Sequence, residues 1–499
     1  MSIVITGFAD SDKVPGFVGE TKFGASKINI GSIALKLLCV GLKTSAGTAT
    51  ADSDVLEIFS GDDADARFGK GSQLARMLRR CIKQNRGYRL YGAAVTETGT
   101  AATVVITIAN AATSAGTIRF WVGGDPMDVS ISSGRSAVNI AADIHAEFQK
   151  HPEFCCSSGV VGAVVTLTIR NLGLQGNQYI LAQDLSNGPA SVTSTLSGAG
   201  AAVNTNMRFF GGGAGQESYT TLLSVLNPAW FNRVALGSND AASAAAWEVQ
   251  TDEKAGPLEG RMEHVVVGFN GTLANAIVLA QTTLNNHRFQ VCWLENSECH
   301  PSEMAAAMAS ERAATEQAAP NSGYDNVTLQ LLGQRLFGDK PLRTELQSAL
   351  DSGVTPLTTD GEGNVVVVRA VTTRSLDGST PDYRTLDVSE AVTPDYVRYR
   401  LAVGWTSEFV KVNKHVAPDP REGEPDRPAG VATPSLWSGY VNAELANMER
   451  ELILTQTAEN PAQSEYNYAA NRIMSAVPCV PLPIQHQIGV SVRQFNVSA

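Results

Sequence analysis

The sequence lacks the signatures of membrane and exported proteins. No apolar run in its 499 residues approaches the length that crosses a bilayer, because the best candidate, residues 28–42, is interrupted by Lys36 and by glycine. The first residues include Asp10 and Asp12 and contain no basic segment followed by an apolar one, which argues against a Sec-type signal. We therefore expect a chain that folds in a cytoplasm and does not insert into a membrane.

Cysteine is sparse and positive charge is in deficit. The seven cysteines are odd in number and scattered, unlike the disulfide framework of a small secreted domain. The formal net charge of −11 argues against a nucleic-acid groove, which needs a surplus of lysine and arginine. With 43% hydrophobic and 17% charged residues the chain is globular, and a chain of this length is expected to form about two to four domains.

Catalytic and metal-binding patterns are also missing. Cys292, Cys299 and His300 fit no zinc spacing, and the sequence contains neither a G-x-S-x-G elbow nor a G-x-x-x-x-G-K-[ST] loop. A turn with Gly268 and Gly271 follows a predicted strand and precedes a helix, as phosphate-binding loops do. We predict no catalytic centre, no cofactor and no metal. The alternative is an α/β enzyme that binds a nucleotide or sugar at that turn.

Both ends of the chain have the pattern of β-strands without a partner of their own. A Val-Pro-Gly turn near the start leads into an extended segment, and the last residues alternate between apolar and polar or small side chains. Unpaired strand backbone is costly, and addition to the sheet of another subunit would satisfy it. The alternative is that both ends join the chain's own sheet. The candidate inter-subunit strands contain Val14, Phe17, Val18, Thr21, Phe23, Ile488, Val490, Val492, Phe495 and Val497.

Between the ends, the pattern predicts a multidomain chain of mixed α/β and α+β class. From about residue 97 the composition shifts to Ala, Thr, Ser, Gly and Val with period-2 segments, which indicates a β-rich insertion. After a glycine-rich return at residues 211–215, helices and strands alternate, which predicts an α/β layer with a largely parallel sheet. The predicted divisions are an N-terminal arm (1–25), a core (26–96 and 206–345), an inserted peripheral α+β domain (97–205), a C-terminal α+β domain (346–487) and a C-terminal arm (488–499).

Segments spread over the whole chain resemble the tail sheath proteins of Mu-type contractile phages. In the family's order they are 14–16 (Val-Pro-Gly), 66–74 (Ala-Arg-Phe-Gly-Lys-Gly-Ser-Gln-Leu), 212–215 (Gly-Gly-Ala-Gly), 301–307 (Pro-Ser-Glu-Met-Ala-Ala-Ala), 360–365 (Asp-Gly-Glu-Gly-Asn-Val), 371–373 (Val-Thr-Thr) and 383–388 (Tyr-Arg-Thr-Leu-Asp-Val). Two features depart from the family: Gly19 replaces the bulky residue usual in the N-terminal strand, and the proline-rich loop near Pro418 to Pro428 is not part of the family's pattern.

The resemblance implies a structural, contractile protein and not an enzyme. Such subunits stack as rings, expected to be hexameric, around a tail tube and contract by a large one-way rearrangement. Their terminal strands complete a sheet in neighbouring subunits. The implied partners are further copies of the chain, the tail tube, the baseplate and tail terminator proteins, with no direct nucleic acid and no membrane. The implied location is the virion tail, after assembly in the bacterial host cytoplasm. A phage, a tailocin and another contractile injection system remain equally compatible with the residues.

Basic residues in the predicted C-terminal domain are the candidate contact with the tube. Arg398, Arg400, Lys411 and Lys414 cluster in an otherwise acidic chain, in the part that the family places against the tube. Charges at the rim of an interface steer and register a partner more than they add affinity. The alternative is that Arg398 and Arg400 are the solvent-facing alternates of a strand.

Overall fold

The computed structural model describes residues 35–256, 258–330, 340–409 and 415–486. Both predicted terminal arms, with all of their candidate strand residues, lie outside these ranges. So do two of the candidate tube-facing residues, Lys411 and Lys414. The structure therefore bears on the core, the insertion and most of the C-terminal part of the chain.

The main core begins with three strands and two helices. In chain order these are β1 (Lys36–Leu42), β2 (Val55–Glu57), α1 (Gly61–Phe68), α2 (Gln73–Gln84) and β3 (Arg89–Val95). β1 pairs in parallel with β3, and the short β2 pairs antiparallel with β3 at the edge. The side chain of Ser72 accepts a hydrogen bond from the Ala75 N–H and begins α2, which confirms the predicted helix and its serine cap.

The chain then leaves the core to form two antiparallel sheets and a helix. The elements are β4 (Ala101–Ala109), β5 (Gly116–Val122), β6 (Asp125–Ile131), α3 (Ala137–Gln149), β7 (Cys156–Val161), β8 (Val164–Leu172), β9 (Ile180–Asp184), β10 (Thr193–Ser197), β11 (Ala202–Asn204) and β12 (Met207–Phe209). The strand orders are β10-β4-β8-β7 and β11-β12-β9-β5-β6. Alternating side chains of these strands and one face of α3 form a hydrophobic cluster of their own. β12 pairs with β9 and so extends this unit beyond residue 205, the predicted end of the insertion.

The chain enters and leaves this insertion at one place. The Thr100 N–H donates to the Ala214 carbonyl over 2.7 Å, and the Ala214 N–H donates back to the Thr100 carbonyl over 3.2 Å. A Cβ on Gly99 would lie 1.7 Å from the Ala214 carbonyl oxygen, and one on Gly215 would lie 2.3 Å from the Thr98 carbonyl oxygen. Both glycines also have positive φ, 85° and 111°. The glycine-rich return is therefore required by close backbone approach.

After the insertion the chain completes the large sheet. The elements are α4 (Thr220–Leu226), β13 (Arg233–Leu236), α5 (Ala241–Ala255), β14 (His264–Phe269), α6 (Leu273–Ile277, continued as a π-helical turn, Val278–Leu284), β15 (Phe289–Trp293), α7 (Pro301–Ala318), α8 (Arg343–Asp351), β16 (Val354–Thr359) and β17 (Val365–Val367). The sheet order is β17-β16-β15-β14-β13-β1-β3-β2, and every pair between β16 and β3 is parallel. This confirms the predicted α/β layer.

Two strands of this sheet differ from the predicted division of the chain. We assigned residues 346–487 to a C-terminal domain, but β16 pairs in parallel with β15, and β17 folds back antiparallel on β16. The turn between them is closed by Asp360, whose carboxylate accepts hydrogen bonds from the backbone of Glu362 and Asn364. The acidic, glycine-rich sequence at this turn is a hairpin connection within the core sheet, and not a link to a new domain.

The remaining described residues form a smaller C-terminal unit. Its elements are β18 (Leu376–Asp377), β19 (Thr380–Pro381), α9 (Val388–Gly404, continued as a π-helical turn, Trp405–Phe409), β20 (His415–Val416), β21 (Val431–Ala432), α10 (Pro434–Arg450), β22 (Gln463–Asn467) and β23 (Arg472–Ala476). Val388 and Val392 at the start of α9 pack in the main core, whereas Tyr396 and Val397 pack in a cluster with α10. α9 therefore joins the two units.

A buried charge cluster joins α2 and α7 to the insertion. Arg76 donates from Nε to Glu303 over 2.8 Å and from Nη1 to Asp125 of β6 over 2.5 Å, and Arg80 also pairs with Glu303. Burial alone would raise the pKa of the Glu303 carboxyl, but the charges and hydrogen bonds of the two arginines lower it to about 2. The glutamate of the Pro-Ser-Glu segment thus has a structural role, because it holds two buried guanidinium groups at the start of α7.

Glu303→Gln should destabilise the fold in a pH-dependent way. The variant removes the buried carboxylate that both guanidinium groups share and leaves them only the partly exposed Asp125, and breaking a buried pair costs about 3–5 kcal/mol. The folded pKa of Glu303 lies below its ordinary value of 4.5, so the stabilisation is complete above that value and is lost as the pH falls towards 2. The difference between variant and wild type in denaturant midpoint should be largest at neutral pH and shrink over this range.

The matched control is Asp128→Asn, which breaks the ion pair of Asp128 with Arg119. The side chains of both residues are about half exposed. Exposed pairs contribute little, so its denaturant midpoint should stay close to that of the wild type. If the two variants changed the denaturant midpoint equally and independently of pH, the buried pairs of Glu303 would contribute no more to stability than the exposed pair of Asp128.

Candidate functional site

The hairpin of β22 and β23 has two open edges. Five residue pairs, from Gln463↔Ala476 to Asn467↔Arg472, join the two strands, and no other strand in the described part of the chain pairs with them. Most of the side chains are exposed, including Met474 at 42%. A two-stranded hairpin is marginally stable in water, and an open edge is a template for a further strand. The hairpin can therefore accept one strand at each edge.

The base of the hairpin is fixed to the rest of the C-terminal unit. The Ala462 N–H donates to the side chain of Asn442 in α10 over 2.7 Å. The Val480 carbonyl, which follows the hairpin, accepts a hydrogen bond of 2.9 Å from the N–H of Thr455, which precedes it. Both ends of the hairpin are thereby held in place. The bond to Asn442 and the bond between Thr455 and Val480 thus hold the base of the hairpin in place next to α10.

Arg400, one of the candidate tube-facing residues, is directed into the chain. It lies on α9, which begins with a capping box at Asp387, so the interpretation as a strand residue is wrong. The residue is 7% exposed, and its guanidinium pairs with Glu451 over 2.5 Å and with Glu444 of α10 over 3.2 Å. Its charge stabilises the packing of α9 on α10.

Arg398 also has partners within the chain. Its two terminal nitrogens donate to the carbonyls of Ala255 and Gly256 over 2.8 Å each, at the end of α5. A cation at this position satisfies the last carbonyls of the helix and interacts favourably with its dipole. The structure does not bring Arg398 and Arg400 together as a basic rim, and a contact of this region with a tube stays a prediction.

The turn at Gly268 and Gly271, the nucleotide or sugar site of the alternative enzyme hypothesis, is packed against other parts of the chain. A Cβ on Gly268 would lie 1.9 Å from the Pro301 carbonyl oxygen at the start of α7. The Asn270 side chain donates to a carbonyl of the insertion over 2.9 Å, and the Gly271 carbonyl accepts from the Trp293 indole over 2.9 Å. The helix that follows, α6, has only five residues before its π-helical turn. Close packing against Pro301 explains Gly268, and the hydrogen bonds of Asn270 and Gly271 within the chain weigh against a phosphate cradle.

Cys292, Cys299 and His300 are buried and do not form a metal centre. His300 caps α7, with Nδ1 2.7 Å from the Ser302 hydroxyl and Nε2 3.1 Å from the Gln175 carbonyl. Burial lowers the pKa of this imidazole to about 4. Over the described ranges, no three His, Cys, Asp or Glu side chains are grouped so that they could hold a metal ion. A membrane-spanning helix is likewise not found among the described residues.

Comparisons with known proteins agree on one class. No protein-family model matches the chain. The chain is 24% identical over 380 residues to the Mu-like prophage FluMu tail sheath protein of Haemophilus influenzae, which covers 75% of each protein. Among solved structures it is similar to the sheath tail protein of Desulfitobacterium hafniense, with a TM-score of 0.50 and 12% identity over 94% of this chain and 97% of that one.

A further structure, the helical sheath of the anti-feeding prophage in its contracted state, aligns with a TM-score of 0.47 and 10% identity over 97% of this chain and 100% of that one. The fold of the chain is that of a tail sheath protein. The resemblance to the Mu-type sheath family is confirmed by the Haemophilus relative, so the chain is a homologue of a Mu-like prophage tail sheath protein.

The sequence interpretation missed the open-edged hairpin. Its strands are polar, with Gln463, Ser464 and Glu465 in the first and Arg472 and Ser475 in the second, so neither shows the apolar alternation of a half-buried strand. The available signal was the connection between them, an Asn- and Ala-rich turn. It contains an asparagine with positive φ at residue 471, a conformation that asparagine tolerates.

Gly268→Ala should destabilise the chain, whereas Gly439→Ala should not. The first variant forces a methyl group against the start of α7, and overpacking of this kind costs about 1–3 kcal/mol. Gly439 is exposed within α10 with nothing within 4 Å of an added Cβ, so alanine should stabilise the helix by about 0.5–1 kcal/mol. Chemical denaturation of both variants measures the difference.

The same pair of variants tests the enzyme hypothesis. If Gly268 served as a phosphate cradle, the wild-type chain would bind a nucleotide, and Gly268→Ala would abolish that binding while leaving stability unchanged. We expect the opposite result: no nucleotide binding by the wild type in calorimetry, and a lower denaturant midpoint for Gly268→Ala.

Proposed function

We propose that this chain is the structural subunit of a contractile tail sheath. It polymerises as stacked rings around a tail tube and contracts to drive the tube through a target cell envelope. The open-edged hairpin carries this proposal, because in a chain with a sheath-protein fold it offers two strand edges that the described residues leave unpaired and that strands of other copies could fill. The chain has no catalytic role in this proposal. It acts in the virion tail after assembly in the host cytoplasm, in hexameric rings, with baseplate and tail terminator proteins as further partners.

The terminal arms, residues 1–25 and 488–499, are the strands that fill the hairpin edges of neighbouring copies. The chain supports this at its C-terminal end, where His486 lies against the core and not along the hairpin. Its Nδ1 is 2.5 Å from Asp325 and its Nε2 is 3.3 Å from Asp387. The following arm can span up to about 40 Å when extended, which is long enough to reach another subunit.

The insertion is a peripheral domain with no essential part in assembly. Its own hydrophobic cluster and the adjacent positions of its entry and exit support this, since a unit of this kind can be grafted onto a core without rearranging it. The contact with the tail tube is placed in the C-terminal unit. Lys411 and Lys414 are its proposed charges, because Arg398 and Arg400 have partners within the chain.

Deleting either arm should abolish polymerisation, whereas excising the insertion should not. The deletions remove residues 1–24 or 488–499, and the excision joins Thr98 to Gln216 through a short Gly/Ser linker. The Thr98 hydroxyl already donates a hydrogen bond of 3.1 Å to the Gln216 carbonyl, so the linker has only a short distance to span. Negative-stain images should show tubes for the wild type and the excised variant, and single particles for both deletions.

Circular dichroism and size-exclusion chromatography would establish that each variant is folded. Tubes formed by either arm deletion would contradict strand exchange. A folded core that lost all tube formation on excision would contradict a peripheral insertion. Single particles from the intact chain under every assembly condition would contradict the sheath function.

A further inference from the structure

Part of the insertion covers the carboxyl ends of the parallel strands of the large sheet. In open α/β sheets the crevice at these ends is the usual place for a ligand. Here it contains a short 3₁₀ helix of the insertion, Leu174–Gln178. Gln175 donates to the Ser238 hydroxyl over 2.8 Å, and Gln178 donates to the Asn239 side chain over 2.6 Å, and both partners follow β13. The insertion is therefore held on the core sheet by amide side chains of this helix.

A buried glutamate lies at this contact. Glu217, which follows the return of the chain from the insertion, is 4% exposed, and its side chain lies close to that of Gln175. Over the described residues, both carboxyl oxygens of Glu217 and the amide oxygen of Gln175 are buried without a hydrogen-bond partner. Unpaired buried acceptors are costly, and a carboxylate can only accept. The neutral acid instead carries an O–H group that can donate to the Gln175 oxygen.

The surroundings of Glu217 favour its neutral form. The pKa of the carboxyl is raised from an ordinary value of 4.5 to about 6. Burial is the main cause and the charge of Asp240 acts in the same direction, whereas the Glu217 N–H and the Gln175 side chain lower the pKa by less. An acid with a raised folded pKa stabilises fully below its ordinary pKa, and this contribution is lost as the pH rises through the folded value. The window for Glu217 is therefore about pH 4.5 to 6.

The other titratable groups near Glu217 keep their charge state between pH 5 and 7.5. Burial would raise the pKa of the Asp240 carboxyl, but hydrogen bonds from the serines around it lower the pKa, so this group stays ionised. Burial raises the pKa of the Tyr219 hydroxyl and lowers that of the His300 imidazole to about 4, so both groups stay neutral. A change in the docking of the insertion over this range is therefore assigned to Glu217.

We propose that Glu217 is a proton switch for the docking of the insertion on the core sheet. The neutral acid donates to the Gln175 amide oxygen and strengthens the docking. The carboxylate places a second negative charge near Asp240 and leaves three buried oxygens unpaired, so the docking weakens. The switch is a property of a single chain and does not rest on the proposed function.

Hydrogen exchange of the wild type and of Glu217→Gln at pH 5 and 7.5 tests this proposal. The amide of the variant does not ionise and can donate to Gln175 at either pH. After correction for the intrinsic pH dependence of exchange, the protection of residues 174–178 in the wild type, relative to the variant, should fall about eightfold from pH 5 to 7.5. The matched control, Glu422→Gln, removes an exposed carboxylate from the proline-rich loop and should follow the wild type.

Equal protection of the wild type and Glu217→Gln at pH 7.5 would overturn the proposal. A variant that failed to fold would also overturn it, because the buried amide should be tolerated better than the buried carboxylate. If a calcium salt restored the protection of the wild type at pH 7.5, a cation and not a proton would neutralise Glu217, and the proposal would again be wrong. A wild-type chain that never forms tubes would contradict the sheath function alone.

Discussion

The hydrogen-bonding groups at strand edges need partners, and this constraint orders the whole molecule. The large sheet places its parallel strands in the interior and ends at β2 and β17, antiparallel strands of three residues each. Short edge strands offer little template for another chain. The insertion divides its strands between two small sheets around one cluster. The hairpin of β22 and β23 differs, because five paired residues leave both of its edges open in the described part of the chain. Strands added to that hairpin during assembly would supply the hydrogen-bond partners that its two edges lack.

Buried ion pairs connect the parts of the chain that the sheets leave separate. Asp395 on α9 forms an ion pair with Arg288, which precedes β15, and a hydrogen bond with His264 of β14; burial would raise the pKa of this carboxyl, but the hydrogen bonds from these two side chains lower it. Further along the same helix, Arg400 pairs with glutamates at α10. A force on the hairpin would therefore pass through α10 and α9 to the strands of the core. The pair of Arg76 on α2 with Asp125 on β6 connects the insertion to the core in the same way, so each peripheral unit is joined to the core by charges that are costly to separate.

Local chemistry determined what the sequence could predict. Ser72 caps its helix through its own hydroxyl, and the alternation of helices with strands allows a parallel sheet and little else, so α2 and the α/β layer were predicted correctly. Long-range pairing was not visible. The partners of Arg400 lie 44 and 51 residues away, and nothing in the spacing of the basic residues indicates them. The hairpin was missed because its strands are polar and mostly exposed, so they lack the apolar alternation that identifies a half-buried strand.

The central claim is that copies of this chain join by exchanging strands at the hairpin. Cryo-electron microscopy of the assembled full-length protein tests it most directly, because it shows which chain supplies each strand. The account predicts a four-stranded sheet in which Gln463–Asn467 and Arg472–Ala476 are flanked by strands from the arms of two other subunits. Hairpins with bare edges, or with edges filled by arms of the same chain, would contradict it.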